Sequence, residues 1–149
     1  MHAIVALEPA GPPFREPVSN GGGPARKWGV ADIPLTYTPS GDFKFKTLPP
    51  LANITASEPC TLQDESKGEV KKLVNLKGMK VVVVTAEASW HVGYDWCTVA
   101  FLRQAGVDTE LLDLKEKGVR GNGHMFFLEK NSDESAAVVR EWIKAIGGG

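Results

Sequence analysis

Lys80-Val81-Val82-Val83-Val84-Thr85-Ala86 is a β-branched run with no polar alternation. A strand with one wet face alternates, so this run predicts an inner strand of a parallel sheet covered by helices on both sides. Downstream, a helix is predicted from about Tyr94 to Ala105. It pairs Cys97 with Phe101 and Val99 with Leu102, and Gly106 stops it. Thr109-Glu110-Leu111-Leu112-Asp113-Leu114 alternates only partly and reads as a short edge strand. Asn131 precedes Glu134 by three residues in a capping-box-like arrangement, and Val139, Trp142, Ile143 and Ile146 mark one face of a terminal helix. Strand, helix, strand, helix is α/β organisation.

Upstream the chain changes character. All 10 prolines lie at or before Pro59, and Gly21-Gly22-Gly23 adds a flexible turn without the lysine and hydroxyl of a phosphate loop. Proline biases its neighbour away from helix, so residues 10–77 are predicted to be largely loop, a lid-like insertion, with room for regular structure only in gaps such as Asp42 to Lys46. Ahead of this segment, Ala3-Ile4-Val5-Ala6-Leu7 followed by Glu8-Pro9 reads as a strand and not as the apolar region of a secretory signal. The whole, 1–149, is read as part of one domain, with 78–146 as its regular portion.

Composition removes several functions. With 17 basic against 18 acidic residues the net charge is -1, so nothing advertises a phosphate backbone or an anionic membrane. No apolar run approaches the roughly 20 residues of a membrane helix. Cys60 and Cys97 are too few for a disulfide scaffold. One bridge between them stays open, as does the redox compartment, and Cys97 alone reads as a buried structural thiol and not a nucleophile. His2, His91 and His124 match no standard local metal-ligand spacing. The residues call for neither a metal nor a cofactor.

The most informative local feature is Gly121-Asn122-Gly123-His124-Met125, between the last strand and the last helix. Glycine on both sides of Asn122 lets a tight loop present an imidazole at the carboxyl end of the sheet, where open α/β sheets bind ligands. An imidazole there can take and return a proton near neutrality. Against this stands a histidine simply hydrogen-bonded within its loop. Glu8, at the end of the first strand, can accept a hydrogen bond from such a histidine and fix its tautomer, or it is a solvated loop acid. Glu87 and Asp95, flanking Ala88-Ser89-Trp90-His91-Val92-Gly93, are rival acids that position alone leaves open. Trp28, Trp90, Trp96 and Tyr37 are candidates for apolar pocket walls or for packing.

Ala3 to Pro9, Trp28-Gly29 through Ile33-Pro34-Leu35-Thr36-Tyr37, Val82 to Ser89 and Gly121 to Met125 together resemble the C-terminal half of an α/β-hydrolase. The resemblance is closest to bacterial and fungal serine esterases whose triad acid is a glutamate after the sixth strand. It implies a partial hydrolase fold with strands six to eight at 3–7, 80–86 and 109–114, Glu8 as acid, Glu87 as reserve acid, His124 as base, and Trp28 and Tyr37 on the substrate side. The departure is the nucleophile. In that family serine precedes the acid on a Gly-x-Ser-x-Gly elbow, yet Ser19, Ser40, Ser57, Ser66, Ser89, Ser132 and Ser135 all follow Glu8, and none sits in that frame.

The resemblance therefore implies the acid–base portion of a serine carboxylic-ester hydrolase, inactive alone. The alternative is a non-catalytic fragment or binding module that keeps the shape without turnover. Its expected partners are a small ester substrate and either a complementing N-terminal half or a second copy pairing at the exposed edge of Ile4 to Leu7, an edge that predicts poor stability in isolation.

Overall fold

The computed structural model describes residues 2–11, 14–25, 35–54, 56–148 of the chain. Its strands are β1 (Ala3–Leu7), β2 (Phe45–Leu48), β3 (Cys60–Gln63), β4 (Lys80–Thr85) and β5 (Asp108–Asp113), and its helices are α1 (Asp95–Gln104) and α2 (Ser132–Gly147). β1, β4 and β5 form a parallel sheet in the order β1-β4-β5, while β2 and β3 pair antiparallel as a separate hairpin. This is an α/β-type fold.

The valine strand is central, as its composition predicts. Val5 of β1 lies opposite Val82, and Val84 lies opposite Leu112 of β5. Because side chains alternate along a strand, β4 serves two cores. Val81 packs with Cys97 and Phe101 of α1, with Ala105 just after it, and with Cys60 and Leu62 of the hairpin. On the opposite face Val82 and Val84 meet Leu112, Leu114, Phe126 and Trp142. Helix α1 ends as expected: Gly106 takes φ 84°, and the Val107 amide donates back to the Leu102 carbonyl at 2.9 Å.

Four expectations are corrected. Residues 10–77 are not simply a lid-like loop, since they contain the β2–β3 hairpin, and Phe14, Tyr37 and Leu48 from this stretch pack on the α1-side core. The local cause is an aromatic cluster invisible to proline counting: the Phe14 ring lies 5.0 Å from Phe43, 4.9 Å from Phe45 and 5.0 Å from Phe101. Cys97 is not a free thiol but is joined to Cys60, with the two Cα atoms 5.4 Å apart, so the bridge ties hairpin to helix. Asn131 starts α2 without a side-chain cap, because that side chain is engaged elsewhere. Ile143 is 47% exposed and does not share the buried face of Trp142.

Among the described residues nothing pairs with the outer edge of β1. Ile4 and Leu7 are exposed there, and a groove of about 500 Å³ lined by Val5, Leu7, Phe126, Phe127 and Val139 runs alongside.

Candidate active site

β1 and β4 run parallel, so their carboxyl ends open on the same side of the sheet, and the residues just beyond them meet there. Glu8 still continues the ladder through its amide, which donates to the Val84 carbonyl at 3.1 Å. Its φ is then 44°, in the left-handed region. For a residue with a β-carbon that conformation costs roughly 1–2 kcal/mol. It turns the side chain inward, where it is wholly buried.

A buried carboxylate must be hydrogen-bonded, and this one accepts three times. Oε1 takes the Ala86 amide at 2.8 Å, and Oε2 takes the Ser89 hydroxyl at 2.8 Å and His124 Nδ1 at 2.6 Å. Glu8 and His124, separated by 116 positions in the chain, are thus in direct contact. The His124 side chain keeps 29% of its exposure, and its Nε2 has no hydrogen-bond partner among the described residues. With Nδ1 donating to the carboxylate, Nε2 carries the lone pair.

The loop bearing His124 is held by groups the sequence reading did not single out. Glu129 accepts from the Gly123 amide at 2.8 Å and from Asn122 Nδ2 at 2.7 Å. Asn122 and Asn131 exchange side-chain hydrogen bonds at 2.7 and 3.1 Å, which is why Asn131 does not cap its helix. The Asn122 carbonyl receives the Ala88 amide at 2.9 Å, tying this loop to the one that follows β4.

The rival acids go elsewhere. Glu87 accepts from the Gly121 amide at 2.9 Å and pairs with Arg120 at 3.3 Å, bracing the loop from outside. Asp95 is buried and bound to His91 Nδ1 at 3.1 Å and the Thr85 hydroxyl at 2.6 Å. Desolvation raises the Asp95 pKa, and the hydrogen bonds from His91 and Thr85 oppose that rise.

Of the aromatic candidates, Trp28 lies outside the described residues. Tyr37 packs edge-on against Phe43 within the α1-side core; its hydroxyl is buried without a partner, and burial pushes its pKa up to about 12. Trp96 also packs there and donates its indole N–H to the Gly93 carbonyl at 3.0 Å. The ring found beside His124 is Trp90, 51% exposed, with centroids 4.5 Å apart. Its position after the valine strand was visible in the sequence; the fold that brings it to residue 124 was not.

Ligand atoms of Glu8, His91 and His124 lie within 4.8 Å of one another, and His2 lies outside this cluster. The arrangement fits hydrogen bonding better than metal ligation. The two rings are parallel to within 3°, so their in-plane lone pairs do not converge, and both His91 nitrogens already face Asp95 and Tyr94.

The fold and site define an α/β-type protein with a buried carboxylate–imidazole pair at the carboxyl end of its sheet. Over 146 residues the chain is 45% identical to a protein described as "Probable secreted lipase phiG" from Fungal sp. (strain ATCC 74256), with 95% of this chain matched. The chain spans 38% of that relative's length. No family model matches the chain, and no solved structure matches it.

Proposed function

We propose that this chain is the acid–base portion of a serine carboxylic-ester hydrolase with an α/β-hydrolase fold, in which His124 is the general base and Glu8 the triad acid. The observation that carries the reading is the 2.6 Å contact between a fully buried carboxylate and a partly exposed imidazole. Similarity to a protein described as a lipase supports ester chemistry. The Cys60–Cys97 bridge favours an oxidising compartment, in keeping with the word "secreted" in that relative's description.

The nucleophile is a serine hydroxyl supplied by polypeptide beyond these residues. Ser89, the serine beside the pair, is 7% exposed and donates to the acid, not the base, so it serves to hold Glu8. His124 Nε2 removes the proton of the incoming hydroxyl as its oxygen attacks the ester carbonyl. The imidazolium returns that proton to the departing alcohol, leaving an acyl-serine. Water then repeats the sequence, giving its proton to Nε2 as its oxygen displaces serine and releases the acid. Glu8 fixes the tautomer and stabilises each imidazolium. Trp90 is an apolar wall beside the reacting atoms. The open β1 edge and its groove take the complementing polypeptide or a second copy of the chain.

The test is hydrolysis of short-chain p-nitrophenyl esters by the chain alone and by the chain combined with an N-terminal half bearing a Gly-x-Ser-x-Gly elbow. We expect activity only in combination, and its loss in His124→Ala. Turnover that survives His124→Ala defeats the assignment, and silence of every combination favours a binding module.

A further inference from the structure

His124 lies against a second imidazole that the chemistry above does not use. The planes of His91 and His124 differ by 3° and their centroids are 4.7 Å apart. His91 is buried, and neither of its nitrogens is free: Nδ1 faces Asp95 Oδ1 at 3.1 Å, and Nε2 faces the Tyr94 hydroxyl at 3.0 Å. The remaining Asp95 oxygen receives the Thr85 hydroxyl at 2.6 Å, anchoring the assembly to the end of β4. With Asp95 ionised, a neutral His91 satisfies every partner in one tautomer, donating from Nδ1 and accepting at Nε2. Its ring is therefore held by hydrogen bonds at both nitrogens as well as by its own bond to the backbone.

His124 has the opposite difficulty. It sits on a loop next to glycine, and one in-plane hydrogen bond, to Glu8, holds it. With the ring otherwise carried only by its two side-chain torsions, a single such bond leaves it able to swing out of plane. A second in-plane bond would stop the swing but would consume Nε2, the atom that must exchange the proton. A flat surface parallel to the ring removes the motion and leaves Nε2 open.

We propose that His91 is a positioning residue that supplies this surface, a fixed aromatic platform on which the His124 imidazole lies flat. Trp90 also leans on that ring, at 43° to its plane. When His124 takes a proton, the cation forms over the π face of a neutral ring, an arrangement that favours it. The catalytic meaning of this platform rests on the reading of His124 as base, but the platform itself is testable without turnover.

The experiment is NMR on the 149-residue chain, reading exchange with water of the His124 Nδ1 proton held by Glu8. Two double variants are compared, His91→Phe with Asp95→Asn and His91→Leu with Asp95→Asn. The second change in each avoids leaving a buried carboxylate unpartnered. Phenylalanine restores a flat ring and leucine restores only volume. Exchange should stay within about threefold of the parent in the first and accelerate about tenfold or more in the second. Equal protection by leucine and phenylalanine overturns the proposal.

The parent chain gives a reading that needs no variant: strong cross-relaxation between the ring protons of His91 and His124 supports the platform, and its absence overturns it. In the complemented enzyme the leucine variant should lower kcat with KM unchanged. Failure of complementation would bear on the esterase reading alone, since the exchange and cross-relaxation results stand without it.

Discussion

Glu8→Gln is the sharpest perturbation of the pair, because it keeps shape while changing which atoms donate. The carboxylate accepts from Ala86 N, Ser89 Oγ and His124 Nδ1 at 2.8, 2.8 and 2.6 Å. Glutamine has one acceptor oxygen and one donor nitrogen to divide among them. Placing the amide nitrogen against the Ala86 N–H would set two buried donors face to face, at a cost of about 1–3 kcal/mol. The other orientation keeps the Ala86 bond and turns the amide nitrogen toward Ser89 and His124. Ser89 adapts, since its hydroxyl can accept. His124 adapts only by moving its proton from Nδ1 to Nε2.

The variant should therefore fold with a loss of about 1–3 kcal/mol, because all three charge-assisted bonds become neutral while the cost of burying a charge is also removed. It should also hold His124 protonated on Nε2, and if His124 is the base proposed above the expected fall in kcat is about 10⁴-fold. Nitrogen-15 shifts of the imidazole in the chain alone read the tautomer, and p-nitrophenyl ester turnover in the complemented protein reads the rate. An Nδ1-protonated His124 in Glu8→Gln, or a rate within about tenfold of the parent, would refute the reasoning.

Opening the Cys60–Cys97 bridge frees a loop closed over a sequence separation of 37, which corresponds to about 13 cal/mol/K of chain entropy and about 3.9 kcal/mol at 25 °C. Urea denaturation with and without reductant should show a loss of that order, and a loss under about 1 kcal/mol would mean the bridge constrains little. Asp95 gives a pH dependence whose sign is fixed by its raised pKa: the native state binds its proton more tightly than the unfolded chain, so this group's contribution to stability falls as pH rises through the window above 3.8. Asp95→Asn should remove that slope, gaining on the parent in urea midpoints as pH rises above 3.8; a parent whose advantage over Asp95→Asn grows with pH contradicts the assignment. Tyr37→Phe removes a buried hydroxyl without a partner. It should be neutral or stabilising by about 1 kcal/mol in thermal melts and should leave the ester KM unchanged; a raised KM would return Tyr37 to the substrate side.

Much of the regular half was legible because its signals are local. Four consecutive valines specify a strand buried on both faces, and Gly106 specifies a helix end, and both act within a few residues. The hairpin was not legible in this way. What fixes it is the packing of Phe14 on Phe43, Phe45 and Phe101, residues far apart in the chain, and a bridge from Cys60 to Cys97. Proline frequency describes the backbone of that segment and says nothing of what its side chains find.

The same division runs through the site. Glu8 and His124 could be put forward as candidates from their positions at the ends of strand and loop, since those positions follow from the parallel sheet, but their choice over Glu87 and Asp95 came only with the resemblance to hydrolases. Trp90 stood only as one of four aromatic candidates and His91 only as a histidine without metal-ligand spacing, because their places beside His124 depend on the path of the turn after β4. That turn is set by contacts made at once: Ala86 N and Ser89 Oγ on Glu8, Ser89 Oγ accepting the His91 amide at 3.1 Å, and the Ala88 amide on the Asn122 carbonyl. The carboxylate that orients the imidazole is thus also the hub around which the turn folds. The strain at Glu8 and the order of the loop are parts of one construction. A change at position 8 that only shortened the acid, such as Glu8→Asp, would withdraw the hub from Ser89 and the Ala86 amide as well as from His124. Loosening of the turn, and with it of His91 and Trp90, would accompany any loss of the imidazole contact. Altered amide exchange at residues 86–91 is the expected companion of every perturbation of Glu8, and its absence in Glu8→Asp would separate the turn from the acid.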